Sequence, residues 1–253
     1  MRRPLAIAAV LALSGCGDGG SGRSTPLVVF AAASLTEAFE EIGTDFEGRY
    51  GDDGVDVVFN FGPSDGLATQ IREGAPADVF ASASGRWMDA VAEDPGVSGR
   101  TDFVRNRLVL LVPADNPAGI EGFEDLAREG VKLVLAAEDV PAGAYAREAL
   151  GNAGVLDAAL ANLESNEEDV KAVVQKILLG EADAGIAYVT DVTDAVAADV
   201  RAIDIPDEVN VIATYPIAVV GGSDHVDLAG RFVAHVLAEG QAALEAAGFV
   251  PVG

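Results

Sequence analysis

Basic residues and cysteines are scarce in this chain of 253 residues. Lysine and arginine together number 16 against 41 aspartates and glutamates, which gives a formal net charge of -25. A chain this acidic lacks the basic patches that hold nucleic acid or anionic lipid by charge, so we exclude both classes of partner. Its single cysteine excludes an internal disulfide and a metal site built from several cysteines.

Aromatic residues are also few, at 6% of the sequence, whereas half of the residues are hydrophobic and 29 are glycines. This composition allows a sizeable core with many tight turns. It favours an α/β protein with one large domain or two small ones. We find no internal repeat and, after the N-terminal segment, no stretch of low complexity.

The one cysteine, Cys16, ends a segment with the layout of a secretory signal. Two arginines precede an apolar run over residues 5–13, which is shorter than the roughly 20 residues of a membrane-spanning helix. The run ends in Leu-Ser-Gly-Cys, which resembles a bacterial lipobox and implies lipid attachment to Cys16; an ordinary signal peptide is the alternative. We predict a lipoprotein signal peptide over residues 1–15 and a flexible tether over 16–26. The folded part should then begin at Leu27.

Short apolar runs alternate with amphipathic segments along the folded part. The apolar runs predict strands over residues 27–30, 55–61, 78–82, 107–113, 131–136, 184–188, 209–213 and 215–220. Helical spacing predicts helices that begin near residues 35, 67, 87, 145 and 166, and a long last helix from about 227 to 247. We expect Asn166 to cap one helix and Gly248 to end the last. This alternation predicts mainly parallel sheets flanked by helices.

Four predicted helices start in small turns that contain no Arg or Lys. These turns are at Ser34, at Ser64, at residues 141–143 and at residues 166–170. Helix starts present free N–H groups and a partial positive charge. The carboxyl ends of strands meet at one edge of an α/β sheet, so several such starts can hold one anion. Taken singly, serines at these positions are more often simple caps, and Ser34 with Glu37 fits a capping box.

A site made only of hydrogen-bond donors selects among anions. It suits an oxyanion that is fully deprotonated near neutral pH, such as sulfate, molybdate or tungstate. A protonated phosphate brings a donor of its own, and leaving that donor unsatisfied costs about 1–3 kcal/mol. The residues alone therefore predict an exported α/β protein with an anion site.

Seven stretches of the chain, in order, resemble the periplasmic molybdate-binding proteins of ABC transporters. They are VFAAASL (29–35), GAPADVFA (74–81), PAGAYAREAL (141–150), EDVK (168–171), GIAY (185–188), YPIAVV (215–220) and AGF (247–249). The resemblance implies an α/β, two-lobed type II periplasmic binding protein fold, with mostly parallel sheets flanked by helices and the ligand in the cleft between the lobes. It also implies five anion ligands: the serines Ser34 and Ser64, backbone N–H groups of Ala142 and Val170, and the Tyr188 hydroxyl.

The same resemblance implies the domain organisation and the role of the protein. Lobe 1 is expected to comprise residues 27–106 plus 206–253, and lobe 2 residues 107–205. The protein would be no enzyme and would need no cofactor; the metal is that of the bound molybdate or tungstate. It would deliver this anion to the membrane permease of an ABC transporter, with sulfate as the alternative ligand. We expect an exported monomer, anchored to the outer face of the cell membrane through Cys16 or lying in the periplasm.

The turn at Ser64 departs from the family pattern. Residues 62–66 read Gly-Pro-Ser-Asp-Gly, so a single serine is left, with Asp65 beside it; we expect this carboxylate to point away from the anion. The turn also matches Gly-x-Ser-x-Gly, the nucleophile elbow of hydrolases. With His225 as the base, a secreted, lipid-anchored serine hydrolase is therefore a second hypothesis. Paired carboxylates elsewhere show no metal-ligand spacing, so we predict no resident metal.

Overall fold

The computed structural model describes residues 25–50 and 54–252. The predicted signal peptide, Cys16 and most of the tether lie outside these residues. Within the described part, none of the helices combines the length and the apolar character needed to cross a membrane.

Ten strands and eight α-helices follow one another along the described residues. The strands are β1 (Thr25–Ala32), β2 (Val55–Gly62), β3 (Val79–Ala81), β4 (Val97–Pro113), β5 (Leu133–Ala136), β6 (Leu163–Glu167), β7 (Ala184–Tyr188), β8 (Val200–Asp204), β9 (Ile212–Val220) and β10 (Val250–Pro251). The helices are α1 (Thr36–Tyr50), α2 (Ser64–Arg72), α3 (Gly85–Glu93), α4 (Pro141–Asn152), α5 (Leu156–Leu160), α6 (Val170–Leu178), α7 (Val226–Leu237) and α8 (Gln241–Ala246). Short 3₁₀ turns cover Ala33–Leu35, Phe123–Ala127 and Val189–Asp191.

The strands form a mixed sheet in the order β2-β1-β3-β9-β4-β7-β5-β6, with β8 and β10 paired to β4. Its two ends are parallel: β1 pairs with β2 and β3, and β5 pairs with β6 and β7. Every pair that involves β4 or β9 is antiparallel. The α/β class is thus confirmed, but the sheet is mixed rather than mainly parallel, because β4 and β9 run against their neighbours.

Strand β4 connects the two halves of the sheet. Its residues 97–107 pair with β9, and its residues 108–113 pair with β7 and β8. The second part is a continuous apolar run, which is why the sequence predicted a strand there. The first part was not predicted, since charged and polar residues interrupt it and its pairing partner lies far along the chain.

Aromatic packing fixes helix α1 beneath the turn that follows β1. Phe39 and Phe46 are fully buried, and their ring centroids lie 6.2 and 5.2 Å from that of Phe232 in α7. Burying a phenylalanine side chain stabilises a fold by roughly 1.5–3 kcal/mol. The position of the turn Ala33–Leu35 is therefore set by the core on which α1 rests.

Two elements near the C-terminus differ from the sequence prediction. The long helix predicted over 227–247 is divided into α7 and α8, since the backbone leaves the helical conformation at Ala238, which has a φ of -112° and a ψ of -86°. The chain then packs closely at Gly240, where a Cβ atom would lie 2.9 Å from Val236 Cα. The strand predicted over 209–213 is confirmed only at residues 212–213, which belong to β9, and was wrong before them. Pro206 O accepts hydrogen bonds from the N–H groups of Val209 and Asn210, which form a turn. Gly248 ends α8 with a φ of 94°, as predicted.

Candidate functional site

The five residues predicted to bind an anion line one small cavity of about 20 Å³. Sites for drug-sized molecules are larger, at roughly 300–1,000 Å³. The lining consists of Ala32, Ala33, Ser34, Gly62, Pro63, Ser64, Ala83, Val140, Pro141, Ala142, Asp169, Val170 and Tyr188. Among these described residues there is no Arg or Lys, and Asp169 alone carries a charge. The cavity suits a small ion that is bound by dipoles.

Four chain segments present helical turns to this cavity, each directly after a strand. These are the turn Ala33–Leu35 after β1 and the starts of α2, α4 and α6, which follow β2, β5 and β6. The first N–H groups of a helix have no partner within it and carry partial positive charge. Tyr188, the last residue of β7, completes the wall.

Helix α4 packs against the end of β5 more closely than a side chain would allow. A Cβ atom at Gly143 would lie 2.1 Å from Ala137 O and 2.3 Å from Ala136 O. Pro141 occupies the first turn of this helix and has no N–H group, so Ala142 offers the first donor. The close packing at Gly143 therefore determines where the Ala142 N–H group lies.

Ser34 lies in the cavity wall and does not cap α1. Its side chain is buried, and its Oγ lies 2.8 Å from the Tyr215 hydroxyl. Glu37, the expected partner in a capping box, forms an ion pair with Lys171 at 2.8 Å instead. The predicted capping box is wrong, because a 3₁₀ turn precedes α1 and directs the Ser34 hydroxyl towards Tyr215.

Ser64 is the first residue of α2 and is also buried. Its Oγ accepts a hydrogen bond from the Ala83 N–H group at 3.0 Å, so its own hydrogen is left for another acceptor. The neighbouring Asp65 does not belong to the cavity lining. This agrees with the expectation that its carboxylate points away from the anion.

The Tyr188 hydroxyl is buried without a hydrogen-bond partner in the described ranges. A buried polar group that is left unpaired costs about 1–3 kcal/mol. Burial also raises the pKa of Tyr188 well above its usual value, so the hydroxyl keeps its proton near neutral pH. It is therefore a buried hydrogen-bond donor that lines the cavity, with the Tyr215 hydroxyl nearby.

Asp169, not Asn166, caps α6. The Asp169 carboxylate accepts a hydrogen bond from the Ala172 N–H group at 2.8 Å. Asn166 lies in β6, where its side chain accepts from Arg147, so the predicted cap was wrong. The actual cap uses the third N–H group of the helix and leaves that of Val170, the first, available to the cavity.

A buried carboxylate that the sequence did not reveal lies behind the site. Asp191 is 2% exposed, and its Oδ2 accepts a hydrogen bond from the Tyr188 N–H group at 2.9 Å. Its Oδ1 lies 3.8 Å from Lys171 Nζ. Burial raises the pKa of Asp191 to about 6, and the charge of Lys171 offsets this only in part. Its sequence context, Val-Thr-Asp, gives no signal of this role.

Asp191 should make the stability fall as the pH rises. Because its pKa is about 6 in the folded protein against 3.8 for the free side chain, the folded state holds the proton more tightly than the unfolded state. This contribution is fully present below about pH 4 and lost as the pH passes 6. From about pH 4 to pH 7, the unfolding free energy of Asp191→Asn should therefore rise by about 3 kcal/mol relative to that of the wild type. Urea unfolding at about pH 4 and 7 measures it, and identical pH dependence in both proteins would contradict it.

Sequence comparison identifies the family of this chain. The family described as bacterial extracellular solute-binding protein matches residues 27–250. The chain belongs to this family. Its members bind solutes, so the prediction that the protein is not an enzyme is confirmed, and the family description supports export.

Relatives of this solute-binding protein carry more specific names. It is 40% identical over 225 residues to the molybdate-binding protein ModA of Mycobacterium tuberculosis, which covers 88% of this chain and 84% of that protein. It is 35% identical over 210 residues to ModA of Escherichia coli, which covers 79% of each. The periplasmic molybdate-binding protein of Azotobacter vinelandii has the same fold, with a TM-score of 0.77 at 22% identity, over 90% of this chain and 100% of that chain. The periplasmic binding protein fold is thus confirmed.

The serine hydrolase hypothesis is wrong. Ser64 and His225 line different cavities. Ser223 Oγ accepts from the His225 N–H group and donates to Asp78, just before β3, whereas Ser64 bonds Ala83, just after it. Asp78 and Ala83 are five residues apart along the extended chain that contains β3, which separates them by about 16 Å.

Over the described ranges, no group of three or more His, Cys, Asp or Glu side chains is placed to hold a metal ion.

Proposed function

We propose that this solute-binding protein captures molybdate, or tungstate, and delivers it to the membrane permease of an ABC importer. One observation carries the proposal. Three hydroxyls and two helix-start N–H groups, from Ser34, Ser64, Tyr188, Ala142 and Val170, line one small cavity in which the described residues include no Arg or Lys. The identity to two proteins named for molybdate binding supports this choice of ligand.

The strongly acidic surface does not oppose an anionic ligand. Unit charges about 20 Å apart in water interact by only about 0.2 kcal/mol. Salt at physiological strength screens charges over about 8 Å. The one carboxylate in the lining, Asp169, is engaged by the Ala172 N–H group. Donors in direct contact with the ligand therefore outweigh the diffuse surface charge.

We further propose that the cavity lies between two lobes, residues 27–106 plus 206–253 and residues 107–205. The change of partner strands along β4, between residues 107 and 108, supports the first boundary. Under this division, Ser34 and Ser64 belong to lobe 1 and the other three ligands belong to lobe 2. An anion bound between the lobes favours the closed state, because only that state makes all five contacts.

Two contacts across this cleft support a closed conformation. The Trp87 indole N–H donates to Asp139 O at 2.9 Å, and Lys171 Nζ lies 2.8 Å from Glu37 Oε1. In this proposal the permease recognises the closed shape, which the bound anion favours. The protein acts as a monomer and is tethered to the outer face of the membrane by a lipid on Cys16.

Molybdate should raise the melting temperature of the purified protein by several degrees. A ligand at about 100 times its Kd stabilises the folded state by about 2.7 kcal/mol. In a protein of this size each kcal/mol shifts the melting temperature by roughly 2–4 °C. Tungstate should match molybdate, sulfate should act far less, and phosphate should have no effect in thermal melts at equal concentration. A shift with sulfate alone would favour the sulfate alternative, and no shift with any of the four would contradict the proposed function.

A further inference from the structure

A line of buried polar side chains runs behind Ser34. Asn106 is fully buried, and its Nδ2 lies 2.8 Å from Thr190 Oγ1 and 3.4 Å from the Tyr215 hydroxyl. Its Oδ1 accepts a hydrogen bond from the Arg107 N–H group at 2.9 Å. An N–H group can bond only the oxygen of an amide, so this contact fixes the orientation of the Asn106 side chain. Its NH₂ group must then face Thr190 and Tyr215.

The orientation of Asn106 sets the direction of the next hydrogen bonds. The Tyr215 hydroxyl accepts from Asn106. Of its other two neighbours, Ser34 Oγ lies at 2.8 Å and the Tyr188 hydroxyl makes no hydrogen bond to it, so the single hydrogen of Tyr215 is directed to Ser34. Burial raises the pKa of Tyr215 above its usual value, so this hydrogen is retained near neutral pH. Ser34 is then the acceptor in its bond with Tyr215, and its own hydrogen is left for the cavity.

The Ser64 hydroxyl is also left with its hydrogen free for the cavity, but through a backbone contact. Its Oγ accepts from the Ala83 backbone N–H group, which can only donate. Both serine hydroxyls therefore have a lone pair occupied by the protein and a hydrogen directed elsewhere. A hydroxyl rotates freely when nothing constrains it and can accept as readily as donate. Here two separate sets of contacts fix both serine hydroxyls as donors to the cavity.

We infer that Asn106 and Tyr215 are positioning residues, which fix the Ser34 hydroxyl as a donor to the bound oxyanion and thereby disfavour oxyanions that carry a proton. The inference rests on the proposed function, because it concerns the anion in the same cavity. A fully deprotonated dianion accepts from Ser34. A protonated phosphate that turns its P–OH group towards Ser34 meets a second donor, and one of the two hydrogens is left unpaired.

Tyr215→Phe tests the chain of hydrogen bonds from Asn106 through Tyr215 to Ser34, with little change in packing. The phenyl ring keeps its edge contacts with Tyr188 and Phe249, whose centroids lie 6.0 and 5.4 Å away. Without the hydroxyl, Ser34 is free to rotate and to accept. We expect molybdate affinity to fall by about three- to tenfold, the usual effect of one lost neutral hydrogen bond. Phosphate affinity should hold or rise, so that the ratio of molybdate affinity to phosphate affinity falls by at least about threefold.

The experiment measures the ratio of molybdate affinity to phosphate affinity, by competition of inorganic phosphate against molybdate on the purified protein. Thr190→Val is the matched control, since it removes the other partner of Asn106 and leaves the bonds from Asn106 to Tyr215 and from Tyr215 to Ser34 in place. Its affinity ratio should equal that of the wild type. A lower ratio in Tyr215→Phe alone supports the inference. The inference is overturned, while the proposed function stands, if the wild type binds molybdate and Tyr215→Phe either loses affinity for both ions equally or keeps the wild-type affinity for both. If the wild type binds neither ion, both fail.

Discussion

Gly143→Ala should lower the free energy of unfolding by about 3 kcal/mol, at the upper end of the cost of overpacking. The added methyl group would meet the carbonyl oxygens of Ala136 and Ala137 at 2.3 and 2.1 Å. These are backbone atoms of β5 and of the residue that follows it, so they cannot rotate away. The first turn of α4 must move, and the Ala142 N–H group moves with it.

Oxyanion binding should weaken in the same variant by at least tenfold, since a hydrogen bond to a charged group contributes about 1.5–3 kcal/mol. Gly151 provides the matched control, because it lies in the same helix with no atom within 4 Å of its added Cβ. Gly151→Ala should be neutral or stabilise by up to about 1 kcal/mol and leave binding unchanged. Urea unfolding and calorimetry measure both quantities. Wild-type affinity in Gly143→Ala would show that the start of α4 does not contact the anion.

Tyr188→Phe should change stability and binding in opposite directions. The hydroxyl is buried without a hydrogen-bond partner in the described ranges, so its removal should stabilise the protein, measured without anion, by about 1–2 kcal/mol. The same removal deletes one donor to the anion, which should weaken binding by roughly ten- to a hundredfold. The aromatic ring keeps its packing against Tyr215.

The opposite signs distinguish a ligand-binding hydroxyl from a structural one. A tyrosine whose hydroxyl served only the fold would lose stability on replacement and would leave binding nearly unchanged. Tyr50→Phe is the control, because Tyr50 ends α1 and packs on Phe46, with ring centroids 4.7 Å apart, away from the cavity. It should change both quantities little. Unfolding of the ligand-free proteins and calorimetric titration with molybdate give the two values, and a destabilised Tyr188→Phe with unchanged affinity would contradict the assignment.

Much of the fold could be predicted from the sequence, because its main strands are continuous apolar runs. Residues 184–188 and 107–113 are examples in which composition alone indicates a buried strand. The first part of β4 and the whole of β8 could not be predicted. Their residues are largely polar or exposed, and they form strands only because β9 and β4, distant in sequence, pair with them.

The candidate site divides in a similar way. The turns at Ser34, Ser64, 141–143 and 166–170 follow from helix-start patterns. The family resemblance singled out Ala142 and Val170 within the last two turns and added Tyr188, and the structure brings all five residues to one cavity. The direction of each hydroxyl could not be predicted. Ser34 and Tyr215 are 181 residues apart, so no local pattern relates them. Local reasoning instead paired Ser34 with Glu37, whose actual partner, Lys171, is 134 residues away.

Anomalous diffraction near the molybdenum absorption edge tests the central claim most directly. Crystals of the protein grown with molybdate should show one strong anomalous peak per chain, in the cavity between Ser34, Ser64, Ala142, Val170 and Tyr188. The oxygens around it should lie within hydrogen-bonding distance, about 2.7–3.2 Å, of the three hydroxyls and the two backbone N–H groups. An empty cavity in such crystals, or a peak held elsewhere on the chain, would contradict the account.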